Sequence, residues 1–280
     1  MRYLLFNTLS GCGKAKEEAE LYSTFFSENN QLCDMTEIQS YKDFLATLNE
    51  EDEIYIFGGD GTLCRFINGI GNLHVKNNIY YYPCGTGNDF SVDVGKRETK
   101  EPFLINHYIK KLPIVKVNGQ EYKFINGVGF GIDGYCCQVG DELKKQNTAP
   151  NYTSIAIKGL LRDFKPVNAT VTVDGRRISF KKVWIAPTMF GRYYGGGMMP
   201  TPKQKRTAKE KNVSLMVFHG SSKLKTLMIF PSIFKGTHIR CKKNVAVLKG
   251  KNITVKFDRP TPLQIDGETF LDVTEYSVSV

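Results

Sequence analysis

With 280 residues, 41% of them hydrophobic and 24% charged, the chain holds enough apolar material for two ordinary domains and too much for a disordered segment. Its formal charge of +10 favours anionic partners (nucleotide phosphates, nucleic acid or an anionic membrane surface) without choosing among them. Seven cysteines with no CxxC pair read as free thiols, the opening MRYLLFNTLSG is too short an apolar run for a signal peptide, and the longest apolar patch, LMIFPSIF, is far below the roughly 20 residues that span a bilayer, so the chain reads as cytosolic.

In chain order, short apolar runs first alternate with helical patterns. YLLFN (3–7) precedes a helix over 14–29, QLCDM (31–35) precedes one near 41–48, and EIYIF (53–57) precedes another that leads to IYYYP (79–83). That alternation predicts a parallel sheet with crossover helices. From about residue 114 the pattern changes to short β runs: IVKVNGQEYKF, ATVTVDGRRISF, VWIAPTMF, NVSLMVF, VAVLKGKNITVKF, PLQIDGETF and YSVSV. Asn118-Gly119 and Asp174-Gly175, set between alternating runs, are hairpin signals. The second half is therefore expected to be an antiparallel, sandwich-like β domain with a helical insert around 134–163.

Two glycine-rich loops draw attention. GGDGT, Gly58 to Thr62, follows the buried run Ile54–Phe57 and precedes Leu63, Phe66, Ile67 and Ile70 at helical spacing. It therefore lies where a strand ends and a helix begins, a position whose backbone N–H groups and helix dipole attract phosphate. Thr62 can add a hydroxyl there, and Asp60 can hold Mg²⁺ or a water in its shell. A tight Asp-Gly turn with no ligand accounts for the same five residues. The grammar then returns in IYYYPCGTGNDF (79–90), which weakens the bare-turn reading. In a parallel sheet both loops leave the carboxyl edge, so Asp60, Thr62, Thr86, Asn88 and Asp89 are expected to share one crevice. No Walker A motif is present.

Two later motifs are weaker alone. FINGVGFGIDGY (124–135) matches GxGxxG but lies at the entry to the β-rich half, which argues against a dinucleotide fingerprint and leaves Asp133 as a crevice candidate. In LQIDGETF, Asp266 and Glu268 are two apart: an extended segment would put both carboxylates on one face, and a solvated hairpin turn explains the pair equally well.

Taken together, these motifs resemble the diacylglycerol kinase catalytic family, which includes sphingosine, ceramide and small bacterial lipid kinases, over nearly the whole chain. NTLSGCGKA looks like the family's opening Asn-Pro-x-Ser-Gly segment with Thr8 in the proline place. GGDGT is shared with the wider group containing NAD kinases and phosphofructokinases; PCGTGNDF is the more discriminating signature, and GVGFGIDG and IDGE follow in family order. The resemblance implies an α/β ATP-binding domain over 1–113, a β-sandwich lipid-substrate domain over 114–280 and a catalytic cleft between them. It implies ATP and Mg²⁺ as cofactors and phosphoryl transfer to a lipid hydroxyl, with conversion of diacylglycerol to phosphatidic acid as the leading reaction. By matching positions, Asn7, Ser10, Gly11, Gly58, Gly59, Gly61 and Thr62 would bind the nucleotide phosphates. Gly85, Thr86, Gly87 and Asn88 would complete the nucleotide region, Asp60, Asp89 and Asp133 would serve the metal, and Asp60 with Asp266 or Glu268 would carry the chemistry, one of the last two as base.

Two positions depart from the family pattern. Cys64-Arg65 follows GGDGTL where relatives have Asn-Glu, with Arg65 expected to face solvent. Lys211-Asn212 stands where relatives carry a metal-binding Asp-Gly turn, which puts a second Mg²⁺ site in doubt. An NAD-kinase-like activity is disfavoured by GTGNDF, an inactive regulator by the retained carboxylates, and nucleic-acid binding by the lack of a recognition motif. Peripheral contact with an anionic membrane is expected through the basic residues of 203–211 and the apolar residues of 223–235; a solvated loop and a core segment are the alternative there. A homodimer is left open.

Overall fold

Strand β1 (Arg2–Phe6) opens the first sheet, with α1 (Lys14–Ser23) carrying the chain to β2 (Asn30–Asp34) and α2 (Tyr41–Ala46) carrying it to β3 (Glu53–Gly58), the central strand. Then come α3 (Asp60–Ile70), β4 (Asn78–Pro83), α4 (Asp89–Asp93), β5 (Phe103–Leu104) and α5 (Asn106–Ile109). The protein is described by a computed structural model covering residues 1–8, 13–26, 29–148 and 150–280, and divides into units Met1–Leu112 and Pro113–Val280.

The first sheet has the order β2-β1-β3-β4-β5, parallel except for β5. The inner strands β1 and β3 are apolar and buried on both faces, whereas the edge strand β2, Asn30–Asp34, is polar. Ala15, Ala19 and Tyr22 of α1 pack on Leu4, Phe6, Tyr55 and Phe57. On α3, Leu63, Phe66, Ile67 and Ile70 are buried, and Tyr41 of α2 meets Phe66 edge-on at 5.6 Å. Helix α1 ends at Ser23, short of the expected Asn29. The hydroxyls of Ser23 and Thr24 donate to the carbonyls of Glu20 and Leu21 at 2.6 and 2.7 Å, satisfying the last turn locally.

The second unit opens with β6 (Ile114–Val117), β7 (Gln120–Lys123) and β8 (Gly127–Phe130). A helical insert follows, α6 (Ile132–Lys145), α7 (Tyr152–Lys158) and a π-helical turn over Gly159–Asp163. The rest is β9 (Val167–Val173), β10 (Arg176–Ile185), β11 (Thr188–Met189), β12 (Val213–His219), α8 (Lys223–Ile229), β13 (Val245–Gly250), β14 (Asn252–Ile265) and β15 (Glu268–Ser279). The antiparallel β domain expected from the sequence is present, and it is barrel-like: β14 pairs with β8 near its end and with β9 near its start, so the run β8-β11-β12-β10-β9 closes on itself. Pro260 and Pro262, which have no N–H to donate, fall where β14 shifts register against β15 and bends from one pairing to the other. The Asn118-Gly119 and Asp174-Gly175 hairpins have positive φ at both turn residues, as two-residue turns require.

Candidate functional site

In the first unit the carboxyl ends of β1, β3 and β4 gather the expected loops at the switch point of the sheet. Asn7 is buried just after β1, while Ser10 and Gly11 lie outside the described residues. The two glycine loops touch main chain to main chain. A Cβ on Gly85 would stand 2.4 Å from the Gly59 Cα. The Gly58 carbonyl accepts both the Cys84 N–H and the Tyr81 hydroxyl at 3.0 Å. Asp60 reaches across: its Oδ2 accepts from the Asp89 N–H at 2.8 Å and its Oδ1 from the Phe90 N–H at 2.9 Å, capping α4 over 29 and 30 positions of sequence. Phe90, fully buried against Tyr81 and Phe103, anchors that helix from below. Asn88, in the left-handed region, closes its own loop through bonds to the Gly85 N–H and carbonyl.

The glycines have different reasons. A Cβ on Gly58 would fall 2.5 Å from the Thr62 side chain, which is itself buried, so Thr62 packs under the loop. Gly61 is different: a Cβ there meets nothing within 4 Å and its φ is not positive. It sits in the first turn of α3, whose N-cap Gly59 supplies no side-chain cap. An uncapped helix start beside open space suits a phosphate group. Thr86 is exposed at the tip of the second loop and Arg65 is exposed on α3, whereas Asp89 is buried.

In the second unit two carboxylates are held in contrasting ways. Asp266 is the first residue of a two-residue hairpin turn (φ 45°), not a strand residue sharing a face with Glu268. Its carboxylate is buried and accepts the N–H groups of Ile125, Asn126 and Gly127 at 2.5, 2.8 and 2.9 Å. The turn is a hairpin, but not a solvated one. Glu268, the first residue of β15, is exposed. Asp133, the second residue of α6, is 6% exposed and accepts the Tyr194 hydroxyl on Oδ2 at 3.1 Å, with the Gln264 amide as a further partner, while Oδ1 has none. Burial pushes its carboxyl up to about 6 against these hydrogen bonds. Gly129 is explained here, since a Cβ would fall 1.6 Å from Asp133 Oδ2.

Among the described residues no three acidic, His or Cys side chains are grouped to hold a metal. Sequence reasoning missed Tyr81, Tyr194, Gln264 and Arg206. Arg206 was counted with the membrane-facing basic residues. It is 5% exposed and donates to the Ile125 carbonyl at 2.7 Å and the Asn126 Oδ1 at 3.1 Å, gripping the segment that Asp266 holds from its amide side. Lys211 donates in turn to the Arg206 carbonyl at 2.6 Å. Two of the five expected docking charges therefore face the protein, leaving Lys203, Lys205 and Lys209 exposed. No periodic signal marked Arg206, since the buried positions Thr201, Gln204 and Arg206 of this turn segment follow neither a strand nor a helix period.

Residues 2–117 match the diacylglycerol kinase catalytic domain, and residues 126–277 match the YegS C-terminal NAD kinase beta sandwich-like domain. A diacylglycerol kinase of Mycobacterium tuberculosis is 23% identical over 219 residues, which cover 75% of this chain and 69% of the relative. One from Bacillus subtilis (strain 168) is 26% identical over 230 residues, 80% of this chain and 73% of the relative. A crystal structure of a diacylglycerol kinase from Bacillus anthracis str. Sterne superposes with a TM-score of 0.61 at 17% identity, covering 99% of this chain and 92% of that one, a likeness of fold.

Proposed function

The chain belongs to the diacylglycerol kinase catalytic family, a family of lipid kinases that use a nucleotide, and from that premise we propose that it transfers the γ-phosphoryl group of ATP, with Mg²⁺, to diacylglycerol to give phosphatidic acid. The observation that carries the reading is Gly61, a helix-start glycine that no contact of the chain requires, in the loop held against the second glycine loop by Asp60. Bound Mg-ATP would supply the phosphoryl group and a metal that offsets phosphate charge, with Asp60 and Asp89 the carboxylates of the first unit that would serve that metal.

The chain's own part is positioning. Backbone N–H groups at the start of α3 and in the Gly85–Asn88 loop bind phosphate oxygens. Asp60 fixes the spacing of the two loops. In a loose phosphoryl-transfer transition state such positioning and charge neutralisation are the main protein contribution. A carboxylate of ordinary pKa cannot deprotonate an alcohol outright, so the base orients the hydroxyl and takes its proton late. Exposed Glu268 fits that task, while Asp266, engaged by three amides, holds the hairpin that carries it.

The test is radiolabelled ATP with mixed micelles of diacylglycerol, monoacylglycerol, phosphatidylglycerol, sphingosine or ceramide, and with NAD⁺, resolved by thin-layer chromatography. Label in phosphatidic acid, well above the other products, is expected. Preferential label in NADP or in a sphingoid phosphate overturns the assignment.

A further inference from the structure

Of the residues in the apolar segment 223–235 that sequence reading selected for membrane insertion, Leu227, Ile229, Phe230 and Phe234, Phe234 alone is exposed, at 44%. Leu227, Ile229 and Phe230 pack against the core beneath the helical insert, with Trp184, Phe218 and Ile233. More exposed still are Leu224, at 70%, and Met228, at 68%, one turn apart on α8. Beside them the insert presents a second such pair: Ile157, at the end of α7, is 47% exposed and Leu161, in the π-helical turn, 48% exposed. The two helical segments are tied together, since the Lys223 ammonium donates to the Leu161 carbonyl at 2.8 Å. Four large apolar side chains on adjoining short helices are thus about half exposed or more.

Their surroundings are basic. Across 151–165 and 222–235 the chain carries Lys158, Arg162, Lys165, Lys223, Lys225 and Lys235, all exposed, against one acidic residue, Asp163. An apolar protein partner would be served by an apolar face with a mixed polar rim. A rim in which six basic residues face one acidic residue around exposed Leu, Ile and Met matches a surface that is anionic outside and apolar within. We propose that the face formed by α7, the π-helical turn and α8 docks the protein on anionic lipid bilayers, with Ile157, Leu161, Leu224 and Met228 entering the acyl boundary and the six basic residues at headgroup level. This rests on the lipid-kinase reading for its purpose but on the surface alone for its observation.

The test uses the full chain with vesicles of phosphatidylcholine, with and without phosphatidylglycerol. Sedimentation should show binding that requires phosphatidylglycerol and weakens in about 0.5 M salt, where screening shortens to a few ångströms. The variant Leu224→Ser/Met228→Ser should lose at least about tenfold in vesicle partition, and Ile157→Ser/Leu161→Ser a similar amount. Lys158→Gln/Arg162→Gln/Lys223→Gln/Lys225→Gln should abolish the dependence on phosphatidylglycerol. Met228→Trp, which keeps the apolar face, should shift its added emission to the blue on vesicles, whereas Leu271→Trp on β15 should not. Kinase turnover in detergent micelles is read on the same preparations: its absence in wild type overturns the kinase reading, while vesicle partition still decides the docking face. Unchanged partition in both serine variants overturns the proposal. So does a concentration-dependent dimer that the serine variants disrupt without any vesicle binding, which would assign the face to a second copy.

Discussion

At the scale of single residues, carboxylates that look alike in the sequence have three different jobs. Asp60 joins loops 29 positions apart, so Asp60→Ala strands the amides of Asp89 and Phe90. Hydrogen bonds to a charged group are worth about 1.5–3 kcal/mol, and urea unfolding should show a loss of that order, with Asp60→Asn losing about half. A midpoint unchanged from wild type would contradict the clamp. The folded protein holds the Asp133 proton up to about pH 6, above the ordinary 3.8 of the unfolded chain. Stability therefore falls as pH rises through that window, is depressed by a constant amount above it, and is unaffected below both values. A shift of this size corresponds to roughly 2–3 kcal/mol. Asp133→Asn should therefore gain on wild type between about pH 4 and 6 in urea titrations; parallel profiles would show that the carboxyl is not so perturbed. For the hairpin, Glu268→Gln should lower turnover by orders of magnitude at unchanged melting temperature, while Asp266→Asn should destabilise by about 2–3 kcal/mol because three amides lose a charged acceptor. If Asp266→Asn melts normally and is inactive, the two roles are exchanged.

At the scale of elements, what was legible is what periodicity and turn chemistry encode locally. The four apolar residues of α3 gave its buried face, the strand before it was a plain apolar run, and the Asp-Gly and Asn-Gly turns marked their hairpins. The end of α1 was misjudged because Ser23 and Thr24 satisfy its final carbonyls, a competition that propensity alone does not reveal. The bonds that build the site were not legible, since they join residues remote in sequence: Asp60 to α4, Asp266 to 125–127, Arg206 to Ile125. Nor could spacing tell a glycine required by packing from one that leaves room. Gly85→Ala would force a Cβ within 2.4 Å of the Gly59 Cα, and overpacking against main chain costs about 1–3 kcal/mol or more. Its melting temperature should drop by several degrees. A normal melt would mean that the loops are not in contact.

At the scale of the whole molecule, the charge of +10 does not choose among anionic partners, and the proposed docking face was read from exposure rather than composition. Basic residues in 203–211 looked equivalent, yet Arg206 is interior and Lys211 bonds to it. The closing of the second sheet was likewise hidden, because it depends on one bent strand, β14, serving both β8 and β9. Among the described residues no helix is long and apolar enough to cross a membrane. The proposed kinase activity depends on the two glycine loops of the first unit binding the nucleotide. The most direct measurement is steady-state turnover of ATP at saturating diacylglycerol by wild type and Gly61→Ala, with thermal unfolding in parallel. A methyl group in open space at a helix start should leave stability equal or raise it by about 0.5–1 kcal/mol, while raising the KM for ATP at least about tenfold by blocking approach of phosphate to the main chain. A Gly61→Ala chain that folds as well as wild type and keeps the same KM for ATP would contradict the account.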